Sequence, residues 1–325
     1  MERIQPDLFE GSESLPEPNA ELTTLARQLP PTVRFGTSTW TYDGWLGDVY
    51  HRHYRGPQPA LRLEEYARYP LFRTVGIDSA FYDPPSEGEL KSYARALPTG
   101  FPCVSKVWDR ITAKRLGQDA PQPGLAGIRN PDFLSAALFK DSVLGPYNRV
   151  FREHAGCFVF EFQAMRGKDL PDPLQWADQL DDFLKELPRD FRYAVELRNP
   201  ELLTGVHGEV LKRHGVAHVF NSWTEMPPIG EQLDMSWTLP TNFTVARALL
   251  KPGRRYADAV KQFQPYDRVQ EPVPSLRRDL VRLVSEAHRR RVEAFILANN
   301  RAEGNAPGTI RAVARMWLEG DAGTA

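Results

Sequence analysis

Eight short apolar runs, each closing on polar or charged residues and most of them separated by a helical pattern, constrain this chain more than any other feature. Residues 33–35 run into Gly36-Thr37-Ser38-Thr39-Trp40, and 74–77 into Asp78-Ser79-Ala80-Phe81-Tyr82. Residues 101–105 reach Lys106, 157–160 reach Glu161 and Gln163, and 192–195 reach Glu196 and Arg198. Residues 217–220 reach Asn221, 243–246 reach Arg247, and 293–298 reach Asn299 and Asn300. About eight β-α units in series predict a single (β/α)8 barrel of the TIM type. That architecture keeps its active site at the carboxyl ends of the strands, where these polar groups fall.

The outer helices are legible from their spacing. Trp176, Leu180, Phe183, Leu184 and Leu187 recur as one apolar stripe, and Leu276, Leu280, Leu283, Val284 and Ala287 repeat it. Pro173 and Pro274-Ser275 suit the starts of these helices. Two stretches break the pattern. Residues 109–130 carry Gly117, Pro121, Pro123, Gly124 and Gly127 and read as a long loop after the third strand. Residues 223–242 lack a clean stripe, so the sixth unit is expected to have a short helix or none. Both loops emerge at the carboxyl face, where long loops serve as lids or binding loops.

Residues 1–31 are acidic and dotted with proline, and read as a loosely attached arm. The alternative is a docked arm in which Ile4, Leu8 and Phe9 cover an apolar spot. The expected division is that arm, a barrel domain over 32–320 and a short tail over 321–325. The formal net charge of −1 provides no global field for nucleic acid or an anionic membrane. Cys103 and Cys157 fall inside predicted strands and read as buried reduced thiols. No apolar run approaches the length of a membrane span and no secretory signal pattern opens the chain, so the expected location is cytoplasmic.

Gly36-Thr37-Ser38-Thr39-Trp40 with Tyr42, Trp45 and Tyr50 resembles the opening of the YecE-like family, a widespread group labelled as a domain of unknown function. The resemblance continues through residues 74–82 with Pro85-Ser86, and through Lys106 with Ile111-Thr112. It resumes at Ala194-Val195-Glu196-Leu197-Arg198 and at Asn299-Asn300 with Gly304-Asn305-Ala306. It implies a TIM-type barrel and leaves the activity open. The chain departs from the family pattern at three places: Gly76-Ile77-Asp78 stands for Glu-Ile-Asn, Ala113 for a histidine, and Glu161 for glutamine. Those departures imply a divergent branch with altered substrate or activity.

The candidate site follows from the strand ends. Residues two apart on a strand share a face, so Glu196 and Arg198 point together. Glu196 is the candidate general base; the structural alternative is an internal salt bridge to a neighbouring barrel cation. Lys106 and Arg198 are candidate stabilisers of developing negative charge, with an ion pair to Glu196 or Glu161 the plainer role for Lys106. Glu161 and Glu196, on consecutive strands, also admit a carboxylate pair of the glycosidase kind. Asp78 and Asn221 would orient a substrate.

Arg247, Lys251, Arg254 and Arg255 follow the seventh strand, and Asn299-Asn300-Arg301 the eighth. Gly304-Asn305-Ala306-Pro307 reads as a helix start capped by Asn305, whose free N–H groups suit an anion. Arg247, Asn299, Asn300 and Asn305 therefore form the expected anion-binding mouth, with Trp40 and Tyr82 among the aromatics available for stacking. The histidines do not suggest a metal site, and no phosphate-cradling glycine loop occurs, so no metal or cofactor is expected. The expected partner is a small anionic substrate handled by a hydrolase- or lyase-like enzyme. The alternatives are a nucleic-acid-binding or repair-associated protein that uses the basic loop and stacking, and a silent scaffold.

Overall fold

The computed structural model of the chain describes residues 19–117 and 126–321. Eight strands form one parallel sheet: β1 Val33–Thr37, β2 Val75–Ile77, β3 Cys103–Lys106, β4 Ala155–Phe162, β5 Tyr193–Leu197, β6 Ala217–Asn221, β7 Phe243–Ala248 and β8 Glu293–Ala298. The order is β1-β8-β7-β6-β5-β4-β3-β2, and the first and last members approach each other through a parallel bridge between Phe35 and Phe72. This is the expected (β/α)8 barrel.

The helices are α1 Ala20–Gln28, α2 Pro59–Arg68, α3 Glu87–Ala96, α4 Asp109–Thr112, α5 Ala136–Leu138, α6 Gly145–Val150 and α7 Pro173–Lys185. They continue as α8 Gly205–His214, α9 Ile229–Asp234, α10 Tyr256–Phe263, α11 Pro274–Arg290, α12 Asn300–Glu303 and α13 Ala306–Asp321. Proline opens α7 and α11 at a position whose N–H would have no intrahelical partner, and both stripes lie buried against the sheet.

Alternation along each strand divides the core in two. Phe158, Phe160 and Phe162 of β4 face outward into the helix layer, where Phe139, Phe183 and Trp176 meet them edge-on or tilted. Cys157 and Val159 face inward with Val104, Ala194, Val219, Val245 and Leu297 to fill the barrel. Both cysteines are buried free thiols.

Three segments differ from expectation or refine it. The second half of the expected loose arm is α1, which packs Leu22 and Ala26 into the core near α13. Arg73 ties its end by donating to the Ala26 and Pro30 carbonyls. The alternation of polar and apolar residues there carries too little apolar surface to reveal a helix, and its docking partner is far away in sequence. Ile4, Leu8 and Phe9 lie outside the described residues. The stretch after β3 opens with the single turn α4. Leu116 and Ile128 then pair backbone to backbone (3.0 Å) around a stretch whose residues 118–125 lie outside the described set. The sixth unit has only the six-residue α9.

Gly76 explains one departure from the family pattern. A Cβ added there would lie 2.6 Å from the Ser38 carbonyl oxygen and 2.8 Å from its Cα. Side chain and backbone cannot share that space where β1 meets β2. Gly76→Ala is expected to cost about 2–3 kcal/mol by forcing the strands apart, read as a lower urea midpoint at unchanged slope. An unchanged midpoint would contradict this account of the seam.

A buried polar cluster lies between α8, β6 and α9. Gln232 spends its amide hydrogens on the Asn221 (2.8 Å) and Pro227 (2.7 Å) carbonyls, so its Oε1 accepts from His218 Nε2 at 3.2 Å. The Trp176 indole can only donate, so His207 Nδ1 accepts from it at 3.3 Å. Both imidazoles are thereby fixed as neutral tautomers, and burial pulls them down, His207 to about 3 and His218 to about 4.

Candidate active site

The inward positions that carry Val104, Val159, Ala194, Val219, Val245 and Leu297 recur two residues later as Lys106, Glu161, Glu196, Asn221, Arg247 and Asn299. Asp78 stands two residues past Gly76, and Arg198 two past Glu196. The period that packs the barrel thus sets a polar layer across its top. Register places Glu161 beside Glu196 and Asn221 beside Arg247.

Arg247 is the hub. Its Nη1 donates to Glu196 Oε2 (2.5 Å) and Glu161 Oε2 (2.7 Å), and its Nη2 to Asp78 Oδ2 (2.6 Å). Glu161 Oε2 also accepts from Arg198 Nη2 and pairs with Lys106 Nζ, each at 2.9 Å. Arg198 Nη2 lies 2.6 Å from Glu196 Oε1 in an ion pair without hydrogen-bond alignment. Burial pulls the Glu161 carboxyl up, but the charges of Arg198, Lys106 and Arg247 outweigh it and hold the group well below its ordinary value. Burial likewise opposes the charge on Arg247, and its three carboxylates reverse that effect and raise it. Glu161 is therefore a fixed anion. A glycosidase acid needs a carboxyl shifted the opposite way, so Glu161 does not suit that role.

Above this layer opens a cleft of about 670 Å³. Asp78, Lys106, Glu161, Arg198 and Arg247 form its polar lining, with Phe81, Tyr82, Trp223 and Tyr256 as aromatic walls and Asn299 and Arg301 on the β8 side. Lys106 Nζ sits 3.7 Å from the Phe81 ring centroid, and the Arg198 guanidinium 4.0 Å from that of Trp223. Arg198 Nε and Nη1, Arg247 Nε and Asp78 Oδ1 are buried without a hydrogen-bond partner among the described residues. Among the described residues no group of three or more His, Cys, Asp or Glu is placed to hold a metal ion.

Several expected site residues lie elsewhere. Glu196 has 0% of its surface exposed and does not line the cleft; it serves as the counter-ion beneath Arg247 and Arg198 rather than a base within reach of substrate. Asn300 Oδ1 accepts from Trp45 Nε1 (3.2 Å) and the Ala306 N–H (2.7 Å). Asn305 caps α13 as expected, accepting from the Gly308 N–H at 2.7 Å, while its Nδ2 donates to the Tyr266 carbonyl. With those N–H groups taken and Asn305 buried, the α13 start is not an open anion site. Asn221 is fully buried and bonds the Leu197 carbonyl and Trp223 N–H. Trp40 donates to the Pro59 carbonyl at 2.7 Å and packs edge-on against Tyr93. Lys251 and Arg254 pair with Glu271, and Arg255 with Asp258.

Arg301 is the residue that a reading of strand ends passed over. It forms no ion pair among the described residues; its guanidinium lies 4.4 Å from the Tyr256 ring centroid, and its charge pulls the Tyr266 phenol down against burial. Its signal in the sequence is a lone arginine beside Asn299 and Asn300 in the loop after the eighth strand.

A nearly closed parallel sheet, with a layer of charged side chains and a cleft at the carboxyl ends of its strands, defines the molecule as a (β/α)8 barrel of the TIM type. The chain belongs to the DUF72 family, described as a protein of unknown function, whose family model matches residues 34–323; the YecE-like resemblance points to this same family. Solved structures agree on the fold. A DUF72 family protein from Enterococcus faecalis V583 superposes with a TM-score of 0.62 at 15% identity, covering 88% of this chain and 95% of that one. A DUF72 family protein from Thermotoga maritima MSB8 gives 0.57 at 18% identity, over 88% and 99%. No curated protein matches the chain. No helix among the described residues is long and apolar enough to cross a membrane.

Proposed function

We propose that the barrel mouth is the active site of an enzyme, hydrolase- or lyase-like, that acts on a small anionic substrate bearing a phosphate or carboxylate. The observation that carries this reading is Arg301, a guanidinium on the cleft wall with aromatic neighbours and no carboxylate partner among the described residues. Below it, two nitrogens of Arg198, Nε and Nη1, have no acceptor among the described residues. Four cations of the mouth, Lys106, Arg198, Arg247 and Arg301, face three carboxylates, so one positive charge is left for a ligand. Buried donors without partners are costly unless an occupant supplies the acceptor.

In this reading Arg301 and Asn299 hold the anionic group. Asp78, whose Oδ2 is pinned by Arg247 and whose Oδ1 has no partner among the described residues, takes a proton from the substrate or from water. Lys106 and Arg198 stabilise the negative charge that develops. Glu161 stays ionised and, with Glu196, keeps the cations in position.

The test is thermal stability at fixed ionic strength against phosphorylated metabolites, carboxylated metabolites and short oligonucleotides. Wild type is expected to gain several degrees with one class of small anion, and Arg301→Gln to lose at least tenfold in affinity for it. Stabilisation by oligonucleotides alone would replace this reading with the nucleic-acid one. An Arg301→Gln protein that responds as wild type would refute the assignment of the anion site.

A further inference from the structure

We propose that the ligand of the mouth is an anion that carries an aromatic ring, the ring covering Tyr82 while the anionic group meets Arg301. The inference rests on the anion reading above and adds the second half of the ligand. Tyr82 lines the cleft and leaves 67% of its surface in water, although its position is fixed: its N–H bonds the Ser79 carbonyl (3.1 Å) and Phe81 meets its ring edge-on (5.4 Å). The other aromatic walls are engaged. Trp223 carries Arg198 at 4.0 Å and Tyr256 carries Arg301 at 4.4 Å, each covering one ring face. Among the described residues no cation lies over Tyr82 in this way. It is a held ring with a bare face beside an anion-ready guanidinium.

Topology puts the two elements together. The loops after β2 and β7 flank those after β1 and β8, so Tyr82 and Tyr256 rise on either side of Arg301. Burial, Tyr256 and Glu161 push the Tyr82 phenol up while Arg301 pulls it down, which sets these groups in one shared space. A cleft of about 670 Å³ holds a compound of drug-like size rather than a bare ion. An aromatic ring stacked on tyrosine gains attraction beyond its buried area, whereas an aliphatic group of equal charge does not.

Isothermal titration of the full chain with phenyl phosphate, cyclohexyl phosphate and methyl phosphate at one ionic strength tests this. Phenyl phosphate is expected to bind about tenfold tighter than methyl phosphate, with cyclohexyl phosphate nearer the methyl ester. Tyr82→Leu, a surface change that leaves the melting temperature in place, is expected to abolish that preference and keep methyl phosphate binding. Arg301→Gln is expected to weaken all three. Equal binding of phenyl and methyl phosphate, or a preference that survives in Tyr82→Leu, would overturn the ring proposal and leave the anion reading standing. No binding of any ester would overturn both.

Discussion

Arg247→Ala is expected to destabilise the protein by about 3–5 kcal/mol, the range for removing one partner of a buried ion network. Without Arg247, Asp78 loses the one ion-pair partner it has among the described residues, and Glu161 and Glu196 lose one of the two cations they share. Arg247→Lys is expected to recover only part of the loss, because one ammonium cannot reproduce the fork that reaches three carboxylates. Asp78→Asn in the Arg247→Ala background should recover part of it by deleting the stranded charge, so the two changes are non-additive.

The sign of the pH effect is fixed by the same logic. Unpaired carboxylates in the variant have folded-state values raised above the unfolded one, so their cost shrinks as pH falls. The gap between wild type and Arg247→Ala should therefore narrow from pH 7 to 5, measured by urea unfolding. A gap that is below 1 kcal/mol, or that widens in acid, would contradict the hub assignment.

Acid should weaken the wild-type protein well before its carboxylates titrate. His207 and His218 are held neutral by burial, down to about 3 and about 4, whereas both take up a proton near pH 6.5 once unfolded. A lowered folded-state value means that the stability is present above the unfolded value and lost below it. Each imidazole then contributes a slope that approaches about 1.4 kcal/mol per pH unit below the unfolded value, so the pair loses about 3 kcal/mol between pH 6.5 and 5. Glu161, also lowered, adds to the loss only below its ordinary value near 4.5. His218→Gln should halve the slope in the window from 6.5 to 5. A wild-type stability that is flat over that window would rule out the neutral, buried pair.

Local pattern carried the barrel. Short apolar runs and proline-started helices are set by neighbours in sequence, so all eight strands and both long stripes appear where the spacing puts them. The polar layer was legible for the same reason, since the period of two that fills the interior also names the residues at its top. What sequence could not supply was pairing across the barrel. Arg247 stands 169 residues from Asp78 and 86 from Glu161, and nothing local says that a basic residue after the seventh strand turns inward to three acids instead of outward to a ligand. Depth was equally hidden: Glu161 and Glu196 are register partners, yet only Glu161 reaches the cleft. The start of α13 is not an open anion site because its caps consume the N–H groups that a bare helix start would offer.

In the proposed function one ligand site, at the carboxyl mouth of the barrel, is built around Arg301. The measurement that reaches it most directly is a crystal structure of the protein with phenyl phosphate. The account predicts phosphate oxygens within hydrogen-bond distance of the Arg301 guanidinium and the phenyl ring against Tyr82. A phosphate seated elsewhere, with Arg301 still facing solvent at saturating ligand, would contradict it.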